Sequence, residues 1–153
     1  MGNCIFCQIA NAQVAAHTVW ESDEYMAFLS IYPNTEGVTV VMPKKHYSSY
    51  VFDLPEKILI GLVKASKEVG KLLDKAFPDV GRTAMVLEGF GVDHAHAKLF
   101  PLHGTNAVKW EQRKSNVDKY FEHYENYVSS HDYKRADDAK LEKLAKHIRS
   151  FNV

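Results

Sequence analysis

The stretch HAHAKLFP, positions 94 to 101, sets two histidines and a lysine at alternate positions. On a strand, residues two apart share a face, so His94, His96 and Lys98 are expected to project together, with Ala95 and Ala97 on the opposite side. An imidazole beside an ammonium suits a phosphate. Neutral histidine attacks phosphorus, and a near-neutral pKa makes it a competent leaving group as well. Lys98 would offset charge building on the non-bridging oxygens. As a bare pattern, the H-x-H pair leaves catalysis and metal binding both open.

A second group of chemically active residues stands at the start of the chain. Cys4 and Cys7 are the two cysteines of the sequence. A redox role for C-x₂-C needs a preceding strand that delivers the motif to a helix, and with the motif opening at position 4 redox catalysis is not the expectation. The spacing suits tetrahedral thiolate coordination, and zinc then needs two more ligands, which histidines must supply. The chain offers eight histidines, among them His17, His46, His94, His103 and His123, and spacing alone does not choose between them. A strand H-x-H can also open a cupin-type metal site, but that calls for a nearby glutamate, and here Lys98, Leu99, Phe100 and Pro101 follow.

The elements that must position these groups can be read from periodicity. Strands are expected over 17–23, 25–31, 38–43, 82–88 and 94–100, with Gly89 and Gly91 in the turn before the last. Asp53, Pro55 and Glu56 mark a helix start with Asp53 as a candidate N-cap, and Ile58, Leu62, Ala65, Val69, Leu72 and Ala76 carry the apolar stripe on to Pro78. Leu141, Leu144, Ala145, Ile148 and Phe151 form a final amphipathic helix, capped by Asp137 or Asp138. Between them, Tyr120, Phe121, Tyr124 and Tyr127 fit one helical stripe suited to packing. The expected fold is α+β: an antiparallel five-stranded sheet with one central helix and a C-terminal helix. Residues 1–110 would make one domain and residues 111–153 a helical extension of it.

Composition bounds the partners. The 153 residues hold 19 basic and 19 acidic side chains, so no global field favours nucleic acid or an anionic membrane, and an anionic ligand must be held locally. There is no apolar run long enough for a membrane span and no leader-like start, which makes a cytoplasmic protein the expectation. Lys44 and Lys45 read as a solvated strand end, His103 as an exposed loop residue, and His17, His123, His131 and His147 as surface or packing residues.

Four segments in order, CIFCQIA, VWESDEYMAFLSIYP, VTVVMPKKH and VDHAHAKLFP, resemble the histidine triad (HIT) family over roughly residues 3–104. The resemblance implies that residues 1–110 are a nucleotide-binding domain. It implies a homodimer that binds a purine nucleotide or nucleotidyl conjugate and attacks its α-phosphate with the middle triad histidine, here His96. It implies that Cys4, Cys7, His46 and His94 hold a structural zinc. It also implies that Ile5, Phe6, Ile9, Phe28 and Ile31 line the nucleoside pocket, with Ser30 where an aspartate usually holds the ribose.

Three departures bear on the chemistry. Lys98 stands at the third triad position, Ser30 replaces the ribose aspartate, and Phe90 and Gly91 replace the usual polar residues before the triad. Glu88 is a candidate for ribose binding or for a plain turn role. The expected activity is a nucleotide hydrolase or nucleotidyl transferase, working through a nucleotidyl-histidine on phosphoramidates or dinucleoside polyphosphates. The alternatives are a catalytically impaired nucleotide-binding or regulatory protein and a plain zinc-binding module.

Overall fold

The computed structural model describes residues 4–107, 109–112, 122–123 and 134–152. Among the described residues, five strands make one antiparallel sheet: β1 (Thr18–Glu21), β2 (Tyr25–Leu29), β3 (Thr39–Pro43), β4 (Thr83–Val86) and β5 (Ala97–Pro101). Their spatial order is β1-β2-β3-β5-β4. The helices are α1 (Ile5–Ala10), α2 (Glu56–Ala76) and α3 (Asp138–Arg149). The fold is α+β, in agreement with the alternation of apolar residues along the chain.

The sheet's two faces have different tasks. On one, Ala27, Leu29, Val41, Ala97 and Leu99 pack with Leu62, Ala65, Val69, Leu72 and Leu73 of α2, and with Leu141, Ala145 and Ile148 of α3. On the other, Met26, Phe28, Val40 and Met42 pack against Phe6 of α1. Strand alternation produces this split: residues of odd number on β2, β3 and β5 turn to α2, and those of even number on β2 and β3 turn to α1. The first face is the main core, where a fully buried leucine such as Leu62 or Leu73 contributes roughly 1.5–3 kcal/mol.

Two local expectations are corrected. Asp53 closes a short 3₁₀ turn, Val51–Asp53, and does not cap α2; Pro55 occupies the N-cap position and has no side chain to donate or accept there. The last strand begins at Ala97 and runs to Pro101, so His94 and His96 precede it. The backbone explains why. His94 N–H bonds to the Val92 carbonyl and Ala95 N–H to the Tyr47 carbonyl, so the 92–96 segment is committed to loop partners rather than to a ladder. At the other end of the chain, Asp137 caps α3 by accepting from the Lys140 N–H at 3.0 Å. The aromatic residues Tyr120, Phe121, Tyr124 and Tyr127 lie outside the described residues, as does His131.

Candidate functional site

α1 places Cys4 at its N-cap and Cys7 one turn on, so the two thiols face the same way. His46 follows β3, and His94 precedes β5. Two contacts sew the segments carrying these histidines together. The Asp93 carboxylate accepts from the Ser49 N–H at 2.9 Å and from the Ser48 hydroxyl at 3.0 Å, and the Ala95 N–H reaches the Tyr47 carbonyl. Those hydrogen bonds, the Ser49 N–H foremost, hold the Asp93 carboxyl below the usual carboxylate range.

The result is a cluster in which the donor atoms of Cys4, Cys7, His46 and His94 all lie within 4.8 Å of one another. His94 Nδ1 is 3.4 Å from the Cys4 sulfur and 3.6 Å from the Cys7 sulfur, and His46 Nδ1 is 3.4 Å from the Cys7 sulfur. In a tetrahedral zinc site with ordinary Zn–S and Zn–N bonds, the S···N edge is about 3.5 Å. The donor set and its spacing therefore fit zinc. His94 is oriented for it as well. Its Nε2 lies 2.8 Å from the Pro43 carbonyl, which can only accept, so Nε2 carries the hydrogen and Nδ1 turns its lone pair to the thiols. Burial keeps the His94 imidazole below its ordinary pKa, and burial with the adjacent Cys4 pushes the Cys7 thiol up.

Beside the cluster lies a pocket of about 360 Å³. Every residue expected at a nucleoside site lines it: Ile5, Phe6 and Ile9 from α1, Phe28 from β2, and Ser30 and Ile31 just after β2. His96 and Lys98 line it too, so these two do share a face, while His94 turns to the cysteines. Phe6 links the two regions, packing edge-on against His94 at 5.8 Å, His96 at 5.2 Å and Phe28 at 5.4 Å between ring centroids. A mostly apolar pocket with a few convergent polar groups is the usual form of a small-molecule site.

His96 is almost wholly buried, and its Nδ1 lies 2.6 Å from the His94 carbonyl. That carbonyl can only accept, so Nδ1 carries the hydrogen and Nε2 the lone pair. Burial lowers its pKa, reinforced by the Lys98 charge and opposed by the His94 carbonyl and Glu88. The imidazole is thus neutral near pH 7, the form that can attack phosphorus.

Lys98 does not stand alone. Its ammonium is 2.9 Å from a Glu88 oxygen, a charge contact rather than an aligned hydrogen bond, with the carboxylate side chain 7% exposed. The β4–β5 ladder pairs Val86 with Lys98, and Glu88 follows two residues beyond the end of β4. Gly89 makes the following turn possible: its φ is +71°, and a Cβ there would meet the Ser49 carbonyl oxygen at 2.7 Å. Glu88 thus stands directly before that turn, held by the ion pair with Lys98, and is not among the residues lining the pocket, where ribose binding would place it.

Sequence reasoning passed over Asp93, Val14, Ala15, Ala16, Val40 and Val92. The last five also line the pocket. Small and aliphatic residues carry no chemical signature, and the partners of Asp93 lie over forty residues away. His17, read as a surface or packing residue, sits at the pocket rim, within 3.1 Å of Asp138 and 3.3 Å of Glu142 on α3. His103 stays away from the site, where it pairs with Asp79 at 3.1 Å and packs edge-on against Phe77. Lys44 pairs with Glu21, and Lys45 lies over the Tyr47 ring.

Comparison with known proteins agrees with this geometry. A HIT-like protein of Methanocaldococcus jannaschii is 35% identical over 102 residues, covering 64% of this chain and 78% of its own. The adenosine 5'-monophosphoramidase of Saccharomyces cerevisiae is 27% identical over 119 residues, covering 76% and 75%. A crystal structure of a hypothetical histidine triad nucleotide-binding protein from Sulfolobus tokodaii superposes with a TM-score of 0.71 at 26% identity, covering 97% of this chain and 91% of that one. A zinc-bound histidine triad family protein from Mycobacterium smegmatis shares the fold, with a TM-score of 0.69 at 19% identity and coverage of 97% and 92%. The family model described as HIT domain matches residues 11–105, which span all five strands and include His46, His94 and His96, and the chain belongs to that family.

Proposed function

We propose that this protein is a nucleotide hydrolase or nucleotidyl transferase that acts at the α-phosphate of nucleoside phosphoramidates or dinucleoside polyphosphates. One observation carries the reading: the Nδ1 hydrogen of His96 is tied to the His94 carbonyl, which leaves the Nε2 lone pair for a pocket that Lys98 also lines. The monophosphoramidase activity named for the yeast relative supports the reaction class.

The base and sugar lie among Ile5, Phe6, Ile9, Phe28 and Ile31, with Ser30 as the polar group near the ribose. His96 Nε2 attacks the α-phosphorus, an N–P bond forms, and the P–N or P–O bond to the leaving group breaks, the leaving group taking up a proton. Water then attacks the phosphorus, cleaves the N–P bond and releases the nucleoside monophosphate, restoring His96; another nucleophile in place of water makes the reaction a transfer. Lys98 stabilises charge on the phosphoryl oxygens as it develops.

Zinc, when bound by Cys4, Cys7, His46 and His94, supplies a structural crosslink with four protein ligands and no open position. The zinc-bound Mycobacterium smegmatis protein supports the choice of metal. A reducing, cytoplasmic setting keeps both thiols available as ligands. We further propose a homodimer, supported by the outer edge of β4, which has no partner among the described residues, and by the exposed Ile60, Val63 and Met85 on the α2 side.

The test is intact-protein mass spectrometry after mixing with adenosine phosphoramidate or diadenosine polyphosphate, with released AMP assayed in the same tubes. The expected result is an adenylyl adduct or AMP release in the native protein, and at least a thousandfold less of either in His96→Ala. Nucleotide binding with neither adduct nor AMP would make this a binding protein and end the catalytic reading.

A further inference from the structure

The pocket's charge balance points to what the leaving group can be. Besides the nucleophile His96, the side chains able to carry positive charge among the described residues that line it are His17 and Lys98. Neither is uncompensated. His17 lies between Asp138 and Glu142 at 3.1 and 3.3 Å, and Lys98 is paired with the nearly buried Glu88 at 2.9 Å.

A phosphate chain brings several negative charges into a site, and in a partly desolvated pocket each needs a cation or a donor of its own. Lys98 can serve one phosphoryl group, and its charge is already offset by a fixed carboxylate close behind. An amine or other uncharged leaving group asks for no such compensation.

We propose that Glu88 is a specificity-determining residue: by pairing with Lys98 beside the nucleophile, it offsets the ammonium that the described residues place at the phosphate end of the pocket, which favours nucleotide conjugates with an amine or other uncharged leaving group over those with a phosphate chain. The inference rests on the pocket being a nucleotide site, as proposed above, but not on turnover there. Glu88 does not line the pocket, so it acts through Lys98 and through the field at the α-phosphate.

The test compares affinities for AMP and ATP by calorimetry in metal-free buffer, using the native protein, Glu88→Gln, Glu88→Asp and the double variant Glu88→Gln/Lys98→Gln. Where turnover occurs, kcat/KM for diadenosine tetraphosphate over adenosine phosphoramidate is measured as well. Glu88→Gln keeps the shape and frees one positive charge, so the ATP-to-AMP affinity ratio is expected to rise about tenfold, and the polyphosphate-to-phosphoramidate ratio with it. Glu88→Asp keeps the charge and should hold the native ratio. The double variant restores neutrality and should return the ratio towards native, a reversal that loss of folding does not mimic.

An unchanged or lowered ratio in Glu88→Gln overturns the inference, as does a double variant that fails to reverse the change. If the ratio shifts as expected while no His96 adduct or AMP appears, the catalytic reading falls and the charge-balance inference stands. If no nucleotide binds to any form, both fall.

Discussion

Two carbonyl oxygens organise the chemistry at the scale of single residues. Pro43 fixes which nitrogen of His94 faces the thiols, and His94 in turn fixes which nitrogen of His96 faces the pocket. Neighbouring histidines thereby take different tasks, because each is oriented by an acceptor that cannot donate. Cys7 sits at the centre of the metal cluster, close to both imidazoles. Replacing it in Cys7→Ser, or stripping metal with a chelator, removes a ligand that binds the folded state alone. The expected outcome is loss of bound zinc and of about 2–4 kcal/mol of stability, a fall of roughly 5–15 °C in melting temperature. Elemental analysis alongside calorimetry checks it; a Cys7→Ser protein that keeps its metal and its melting temperature would remove the cysteine from the ligand set.

At the scale of elements, the segment 92–96 shows how a strand pattern can be exchanged for loop contacts. Alternation read straight through His94 suggested a strand from there on, yet the Val92 and Tyr47 carbonyls take the two N–H groups that a ladder would have used. The turn after β5 is held in a similar way. Asp79, in the connection from α2 to β4, accepts from the Gly104 N–H at 2.9 Å and pairs with His103. The Gly104 N–H, then His103, hold the Asp79 carboxyl below its ordinary range. For His103, desolvation is outweighed by the Glu36 carbonyl and the Asp79 carboxylate, so its pKa is raised. A raised histidine pKa gives stability that is fully present below its unfolded value, about 6.5, and is lost as pH rises through the folded value. A lowered aspartate pKa gives stability present above its unfolded value, about 3.9, and lost as pH falls through the folded one. Asp79→Asn should therefore lower the melting temperature most around pH 5, and the difference from native should narrow at both higher and lower pH. Thermal melts from about pH 3 to 9 check this; a difference that does not vary with pH would show that the pair contributes no charge interaction.

Across the whole molecule, the sheet separates stability from function. One face is buried by α2 and α3, while the other carries the pocket and the metal cluster beneath α1. Helix α3 reaches across this division. Its core residues pack with α2, yet its first turn engages His17 at the pocket rim, and the Ala136 N–H just before it bonds to the carbonyl of Ile31. No helix among the described residues is long and apolar enough to cross a membrane. In the dimer proposed above, the second copy meets the exposed side of α2 and the edge of β4, which has no partner among the described residues. Val63→Asp places a charge on that surface and should turn a dimer into a monomer in sedimentation velocity with little change in secondary structure. A native protein that sediments as a monomer at high concentration would end the dimer proposal.

Local periodicity and residue type made much of this molecule legible before any contact was known. The strands and the two longer helices came from apolar spacing, the cap of α3 from a pair of aspartates, Asp137 or Asp138, and the candidate nucleophile and thiol ligands from the short motifs H-x-H and C-x₂-C; the short helix α1 was not foreseen. Spacing left eight histidines open as partners for the cysteines, and it was the family resemblance that pointed to His46 and His94. How these groups meet was set by the tertiary fold, because the contacts join residues far apart in the chain: Cys7 with His46 and His94, Ser49 with Asp93, and His17 with α3. The Glu88–Lys98 pair spans a shorter distance but depends on the β4–β5 register and the turn at Gly89, which composition does not reveal. Hydrogen-bond direction and charge compensation act through space. They became legible only once the chain had brought their partners within a few ångströms.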